Sequence, residues 1–332
     1  HKYQSELKMN EINRIDEEIT ISAKKLKEEV KNLTFEEICE FNLNKEHIPE
    51  IPTKNIITEP SRNNTGPCVA YTAFRLMATD PDSVFVMAPS DHVILKEEAF
   101  IDRITEALTF ASQKEVIVTL GIQPTRPDTG YGYIESSGEI VEGDIQKVKS
   151  FKEKPNLDTA KDYLKAGCYY WNGGIFVWSS QTILNSFKKN AAEIYDILSQ
   201  DVSKYNTEEE QAYIDQVYPT TPSISVDYAI LEKADNVYTL PADIGWSDLG
   251  TWNALHAYKE KDDQGSVVIG ENTLLINSKD CIVRSDAKKL VVIKDLENFI
   301  VIDEPDVLLV YPKDQEQAIK ELRKNIENKD FV

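Results

Sequence analysis

The sequence predicts an α/β fold that ends in a smaller β-rich region, and three changes of texture along the chain carry this reading. From about residue 55, short apolar runs alternate with amphipathic stretches, a strand–loop–helix pattern expected of a largely parallel sheet covered by helices. After about residue 263 only short apolar runs recur, parted by turns rich in Gly, Asp and Asn. Residues 1–45 differ from both, with no Gly or Pro; the first Gly of the chain is Gly66. The expected division is therefore residues 1–262, including the atypical helical segment 1–45, followed by residues 263–332.

Within the first part, residues 84–88 form an apolar run closed by Pro89, expected as a buried strand. Phe100, Ile104, Leu108 and Ala111 then give one face of a helix. Residues 115–120 read as the next buried strand, ended by Gly121. Asn156 is placed to cap a helix that stops at Gly167. The aromatic run 168–178 is broken by Gly173-Gly174. In the C-terminal part, short strands are expected at 267–269, 274–276, 281–283, 290–293, 299–302 and 307–310. A terminal helix from about Gln315 follows, with Ala318, Ile319, Leu322 and Ile326 on one face.

In the N-terminal segment, Ile12, Ile15, Ile19, Ala23, Leu26, Val30 and Leu33 form one helical stripe, and Thr34 with Glu37 matches a capping box. Such a stripe fits a helix packed on its own domain, or a seam with a partner: a second copy in a homodimer or a different subunit.

Composition narrows the function. A net charge of −20 argues against broad nucleic-acid binding, which needs a basic surface to displace counterions. It does not exclude an anionic small substrate, because a metal ion and a few local cations can reverse the field inside one cleft. The four cysteines, at 39, 68, 168 and 281, form no CxxC or Cys/His cluster, which fits a reducing compartment. No apolar run approaches the roughly 20 residues that span a bilayer, and no secretory signal is visible. The expectation is a cytoplasmic protein without membrane or nucleic-acid partners.

Four segments could carry chemistry. Asp91, in Pro89-Ser90-Asp91-His92, follows a strand end, where open α/β sheets bind ligands. Its carboxylate would suit Mg²⁺, and equally could cap the next helix. Asp248 lies in Gly245-Trp246-Ser247-Asp248-Leu249-Gly250, a tight bend around a carboxylate that could also be an ordinary Asp turn. Lys154 precedes Pro155, which should hold it extended and project its ammonium as a phosphate contact; a solvated charge run is the alternative. In Thr129-Gly130-Tyr131-Gly132-Tyr133 the glycines allow close backbone approach and the tyrosines could wall a ligand. The spacing fails as GxGxxG, with Glu135 where a third Gly would stand. There is no HExxH, GxSxG or Walker-type motif.

Taken in order, these segments join Glu59-Pro60-Ser61-Arg62-Asn63-Asn64-Thr65-Gly66-Pro67, Phe151-Lys152-Glu153-Lys154-Pro155, Trp171-Asn172-Gly173-Gly174 and Ser225-Val226-Asp227-Tyr228. The series, from about residue 50 to the end, resembles the mannose-1-phosphate guanylyltransferase family of sugar nucleotidyltransferases. The resemblance implies a Rossmann-like nucleotidyltransferase domain followed by a small β-helical domain. It implies transfer of a guanylyl group from GTP to mannose 1-phosphate, giving GDP-mannose and pyrophosphate, with Mg²⁺ as cofactor. By the same resemblance Glu59, Pro60, Asn64, Thr65 and Pro67 are nucleotide-binding, and Gly132, Glu153, Asn172 and Asp227 face the sugar. Lys154 contacts the sugar phosphate, and Asp91 and Asp248 hold the metal.

No β-rich isomerase domain follows residue 332, so the monofunctional form is expected. The family's opening GGxGxRxWP loop, which holds the triphosphate, has no counterpart in residues 1–45. The expectation is therefore impaired turnover. A catalytically silent regulatory subunit that binds a sugar nucleotide is one alternative, and a sibling enzyme for another base or hexose phosphate is the other.

Overall fold

The computed structural model describes residues 57–285 and 288–319, together with Leu322 and Ile326. The stripe, the capping box and the Gly-free segment of residues 1–45 lie outside the described residues, as does most of the terminal helix. The chain divides into two compact units. One holds the described residues up to Thr79 together with Phe187–Ala229; the other holds Asp80–Ser186 and the described residues from Ile230 onward.

The first unit is helical. Helix α1 (Thr65–Thr79) packs through Tyr71 and Phe74 into an aromatic cluster. The Phe74 ring stacks on Tyr205 at 5.6 Å, and Tyr71 meets Tyr218 edge-on at 6.2 Å. Such rings bury large apolar areas, and their edge-to-face geometry adds further attraction. The buried Glu210 carboxylate accepts hydrogen bonds from the Tyr71 hydroxyl (2.7 Å) and the Asn206 amide (2.6 Å), with Arg75 at 3.3 Å. That set offsets the cost of burying a charge.

The second unit contains a six-stranded sheet in the order β1 (Val84–Met87), β6 (Tyr169–Ser179), β3 (Ile117–Ile122), β7 (Val237–Ala242), β5 (Ile145–Lys152), β4 (Tyr133–Glu142). Only β3 and β7 run parallel; the other pairings are antiparallel, so the described sheet is mixed rather than largely parallel. The cause is local: the β4–β5 hairpin returns the chain so that β6 inserts against both β1 and β3. Strand β1 is half-buried, at an edge of the described order, rather than fully covered.

Helix α2 (Glu97–Gln113) buries Ile104, Ala107, Phe110 and Ala111 on Val118, Leu120, Val177 and Leu240. Each large side chain so enclosed stabilises the fold by roughly 1.5–3 kcal/mol. Helix α3 (Leu157–Ala166) is capped as its sequence predicts: the Asn156 side chain accepts from the Thr159 amide at 2.9 Å, and Gly167 ends it at φ 71°.

Two glycine sites expected to interrupt strands lie inside them. Gly121 does not end β3, which continues to Ile122; it lies so close to the Tyr170 ring that a Cβ would stand 2.9 Å from it. Gly173-Gly174 does not break β6 either. The pair sits in a bulge where Thr119 faces Phe176 but Gly121 faces Asn172, and Gly174 takes φ 68° there.

The C-terminal region is a coil of parallel rungs. Strand β11 (Ile282–Ser285) lies between β9 (Val267–Ile269) and β13 (Phe299–Asp303), and β10 (Thr273–Ile276) pairs with β12 (Val291–Lys294). Strand β14 (Leu308–Pro312) closes the β13 side antiparallel. Cys281, Val283 and Val301 face one core with Leu275 and Ile293, while Ile282, Ile300 and Ile302 face Trp252, Leu309 and Ile319. The corners between rungs use Asn277, Asp280, Asp295 and Asn298 at positive φ, which explains the Asn and Asp that punctuate this stretch. Among the described residues no helix is long and apolar enough to cross a membrane.

Candidate active site

Strand register assembles the site of the second unit. Tyr133 pairs with Lys152 on β5 and with Trp171 on β6. One residue outward, Gly132, Glu153 and Asn172 therefore meet at one end of the sheet. The Asn172 amide donates to the Gly132 carbonyl at 2.9 Å, and a Cβ on Gly132 would stand 2.8 Å from Glu153 Oε2. The Asn172 side chain is turned by the bulge, its Oδ1 accepting from the Gly174 amide at 3.1 Å.

Lys154 is exposed and forms an ion pair with its neighbour Glu153. It is not extended, as the following proline led us to expect, but left-handed at φ 42°. Proline disfavours the right-handed helical region for the residue before it, and the left-handed conformation turns the chain from the end of β5 into the Asn156 cap.

Strands β2 (Val93–Ile94) and β8 (Trp246–Ser247) form a two-stranded antiparallel ribbon, with Val93 opposite Ser247. This sets the segments carrying Asp91 and Asp248 side by side. The Asp91 side chain is 85% exposed, and it does not cap α2, whose N-cap is Lys96. His92 accepts a hydrogen bond from the Trp246 indole at Nδ1 (3.1 Å), so the neutral ring carries its proton on Nε2, 3.9 Å from Asp91 Oδ1. The Asp248 Oδ1 accepts from the Tyr131 hydroxyl at 2.8 Å and from the Gly250 amide at 3.1 Å, so the bend has the local bonding of an Asp turn.

The tyrosines do not simply wall a cleft. Tyr131 is buried against Trp171 and Trp246, and burial together with the Asp248 charge raises its phenol far above the ordinary range. Tyr133 donates to the Asp128 carbonyl at 2.8 Å. Arg126, unremarked in the sequence, lies over the Trp171 ring at 5.1 Å and is paired with Asp128 at 2.8 Å. Its only sequence signal is its place just before Pro127-Asp128. Among the described residues no three His, Cys, Asp or Glu side chains form a metal-binding group. Two carboxylates nonetheless suit Mg²⁺, which keeps waters and shares substrate phosphates rather than occupying an all-protein cage.

In the first unit, residues 59–67 are fastened to residues 218–226. Asn63 Nδ2 donates to the Tyr218 and Thr221 carbonyls, each at 3.0 Å, and Thr65 Oγ1 accepts from the Val226 amide at 2.9 Å. A Cβ on Gly66 would stand 2.6 Å from the Ile224 carbonyl, and Pro67 is buried in the first turn of α1. Glu59 accepts from the Tyr218 hydroxyl. Burial, reinforced by Glu59, pushes the Cys68 thiol up to about 12. Pro60 is half-buried, while Asn64 is exposed at φ 68°. Asp227 opens a π-helical turn, Asp227–Leu231. Thus Gly132, Glu153, Asn172 and Lys154 are brought together, Asp91 and Asp248 lie on adjoining segments, and Thr65 and Pro67 anchor their own loop.

Residues 3–265 match the family described as Nucleotidyl transferase, a match that takes in the Gly-free N-terminal stretch. Residues 271–326 match the MannoseP isomerase/GMP-like beta-helix domain. The chain is 36% identical over 271 residues to a protein named mannose-1-phosphate guanylyltransferase from Salmonella muenchen, covering 81% of this chain and 56% of that one. It is 33% identical over 281 residues to alginate biosynthesis protein AlgA from Pseudomonas putida, covering 84% of this chain and 57% of that one. The chain thus spans a little over half the length of these relatives. A crystal structure named mannose-1-phosphate geranyltransferase from Thermus thermophilus is similar with a TM-score of 0.70 and 28% identity, over 82% of this chain and 78% of that one. The chain belongs to the nucleotidyl transferase family and carries a GMP-like β-helix domain at its C-terminal end.

Proposed function

We propose that this protein transfers the guanylyl group of GTP to mannose 1-phosphate, giving GDP-mannose and pyrophosphate. The observation that carries the proposal is the dipeptide Tyr131-Gly132. Tyr131 touches Asp248, while Gly132 abuts Glu153 and Asn172, so one stretch of backbone joins the Asp248 carboxylate to a polar cluster beside a lysine. The Salmonella relative's name supports the choice of base and sugar.

In this reading Glu153 and the Asn172 side chain, gathered at Gly132, bond the hydroxyls of the hexose. Lys154 binds the sugar phosphate, exchanging its pair with Glu153 for a phosphate oxygen. That phosphate's oxygen attacks the α-phosphorus of GTP in line. The bond to the β-phosphate breaks, and pyrophosphate departs with the electron pair. No protein nucleophile is needed, and rate comes from alignment and charge neutralisation. Asp91 and Asp248 would hold Mg²⁺, which when bound neutralises phosphate charge. By the family resemblance, Glu59, Pro60, Asn64, Thr65 and Pro67 are assigned to the nucleotide and Asp227 to the sugar. Cytoplasmic residence and a division at residues 262/263 belong to the same reading.

Pyrophosphate release from GTP, mannose 1-phosphate and Mg²⁺ tests it. Release with UTP or dTTP and glucose 1-phosphate, but not with GTP, would overturn the base and sugar. The Gly-free residues 1–45 favour a second reading, a silent subunit that binds a sugar nucleotide. GDP-mannose raising the melting temperature without any pyrophosphate release would support it.

A further inference from the structure

We infer that Tyr131 and Gly250 act together as positioning residues that select which oxygen of Asp248 meets the metal; the inference rests on the metal-binding reading above. Oδ1 is taken by two donors, the Tyr131 hydroxyl at 2.8 Å and the Gly250 amide at 3.1 Å. A carboxylate oxygen bonded twice in this way has its lone pairs committed, so a cation finds Oδ2. Gly250 also keeps that second oxygen open, because a Cβ there would stand 2.9 Å from Oδ2. The same residue thus fills one oxygen with its amide and leaves space at the other by lacking a side chain.

Tyr131 is well suited to fix the carboxylate. Its ring is held edge-on by Trp171 at 5.1 Å and Trp246 at 5.3 Å, and it is 5% exposed. Arg126 approaches the phenol oxygen at 3.4 Å. With the guanidinium donating, the hydroxyl proton is directed to Asp248. Outer partners of this kind orient a ligating carboxylate and tune its affinity.

The test is binding of Mn²⁺ alone to the full chain, with free ion counted by electron paramagnetic resonance. Tyr131→Phe keeps the ring and removes the hydroxyl; Gly250→Ala blocks Oδ2; Asp248→Asn removes the ligand. The expected result is loss of the Mn²⁺ site in Asp248→Asn and about a tenfold weaker site in both other variants. Binding of mannose 1-phosphate, read by calorimetry, should stay within about twofold in Tyr131→Phe, since the hydroxyl removed bonds Asp248 and the contacts joining Gly132, Glu153 and Asn172 remain. If Asp248→Asn loses the site while Tyr131→Phe and Gly250→Ala keep full affinity, the inference is overturned and the metal reading stands. If Asp248→Asn binds Mn²⁺ unchanged, the metal reading falls and the inference with it.

Discussion

The backbone N–H of Asn172 donates to the carbonyl of Gly132 at 2.9 Å, locking together two residues 40 positions apart at the end of the sheet. Gly132 also faces Glu153 at a distance that leaves no room for a methyl group. Gly132→Ala should therefore displace Glu153 and raise the KM for mannose 1-phosphate about tenfold, with a smaller change in kcat. The overpacking involved costs roughly 1–3 kcal/mol. Steady-state kinetics checks this; an unchanged KM would remove Gly132 from the proposed sugar contacts.

Lys154 separates charge from backbone strain. Lys154→Ala and Lys154→Gly should both reduce kcat/KM about a hundredfold, as expected for loss of a charged phosphate contact. Glycine suits the positive φ of this residue better than alanine. Lys154→Gly should therefore melt at a higher temperature than Lys154→Ala while being no more active. Equal activity of the unaltered protein and both variants would exclude a phosphate role.

Asn63 anchors residues 59–67. Asn63→Ala removes donors to two buried carbonyls and to the Thr221 hydroxyl, and should destabilise the protein by about 1–3 kcal/mol in urea unfolding. It should also weaken nucleotide binding, measured by calorimetry with GTP, because the loop loses its tether. Full affinity in a destabilised variant would place the nucleotide contacts elsewhere.

His256 predicts a pH dependence of stability. Burial holds its imidazole below the ordinary value of 6.5, while its Nε2 bonds the Gly265 carbonyl at 2.8 Å. The unfolded chain thus binds the proton more readily. The stabilising contribution is present above 6.5 and is lost as pH falls toward the depressed folded value. Melting temperature should drop between about pH 7.5 and 5.5, and His256→Gln should flatten this part of the profile. An equally steep profile in the variant would rule out His256 as its source.

Much of the fold was legible from local pattern. The six C-terminal strands, the Asn156 cap and the Gly167 stop all follow from residues close in sequence, so periodicity and turn chemistry suffice to place them. The mixed sheet was not legible, because the direction of β6 depends on partners it meets only after the β4–β5 excursion. Lys154 departs from the proline rule because that rule describes an average preference, whereas here the chain turns between a strand and a capped helix. For the candidate site, Asp91, Asp248 and Gly132 stand out through carboxylate and glycine motifs, and Glu153 and Asn172 only through the family resemblance. Tyr131 and Arg126 did not show their roles, since an aromatic or basic residue gains a partner such as Asp248 or Trp171 only through long-range packing.

The C-terminal coil reaches back to the segment that follows Asp248. Glu316 accepts from the Trp252 and Asn253 amides at 2.7 and 2.9 Å, and Asn253 Nδ2 donates to the Lys313 carbonyl at 3.0 Å. The coil is thus a buttress for the first turn of Trp252–Tyr258, not a detachable ornament. A chimera that exchanged this region for a relative's would have to carry the 313–316 stretch and its receiving helix together, or graft a sound scaffold onto an unbraced Asp248 loop.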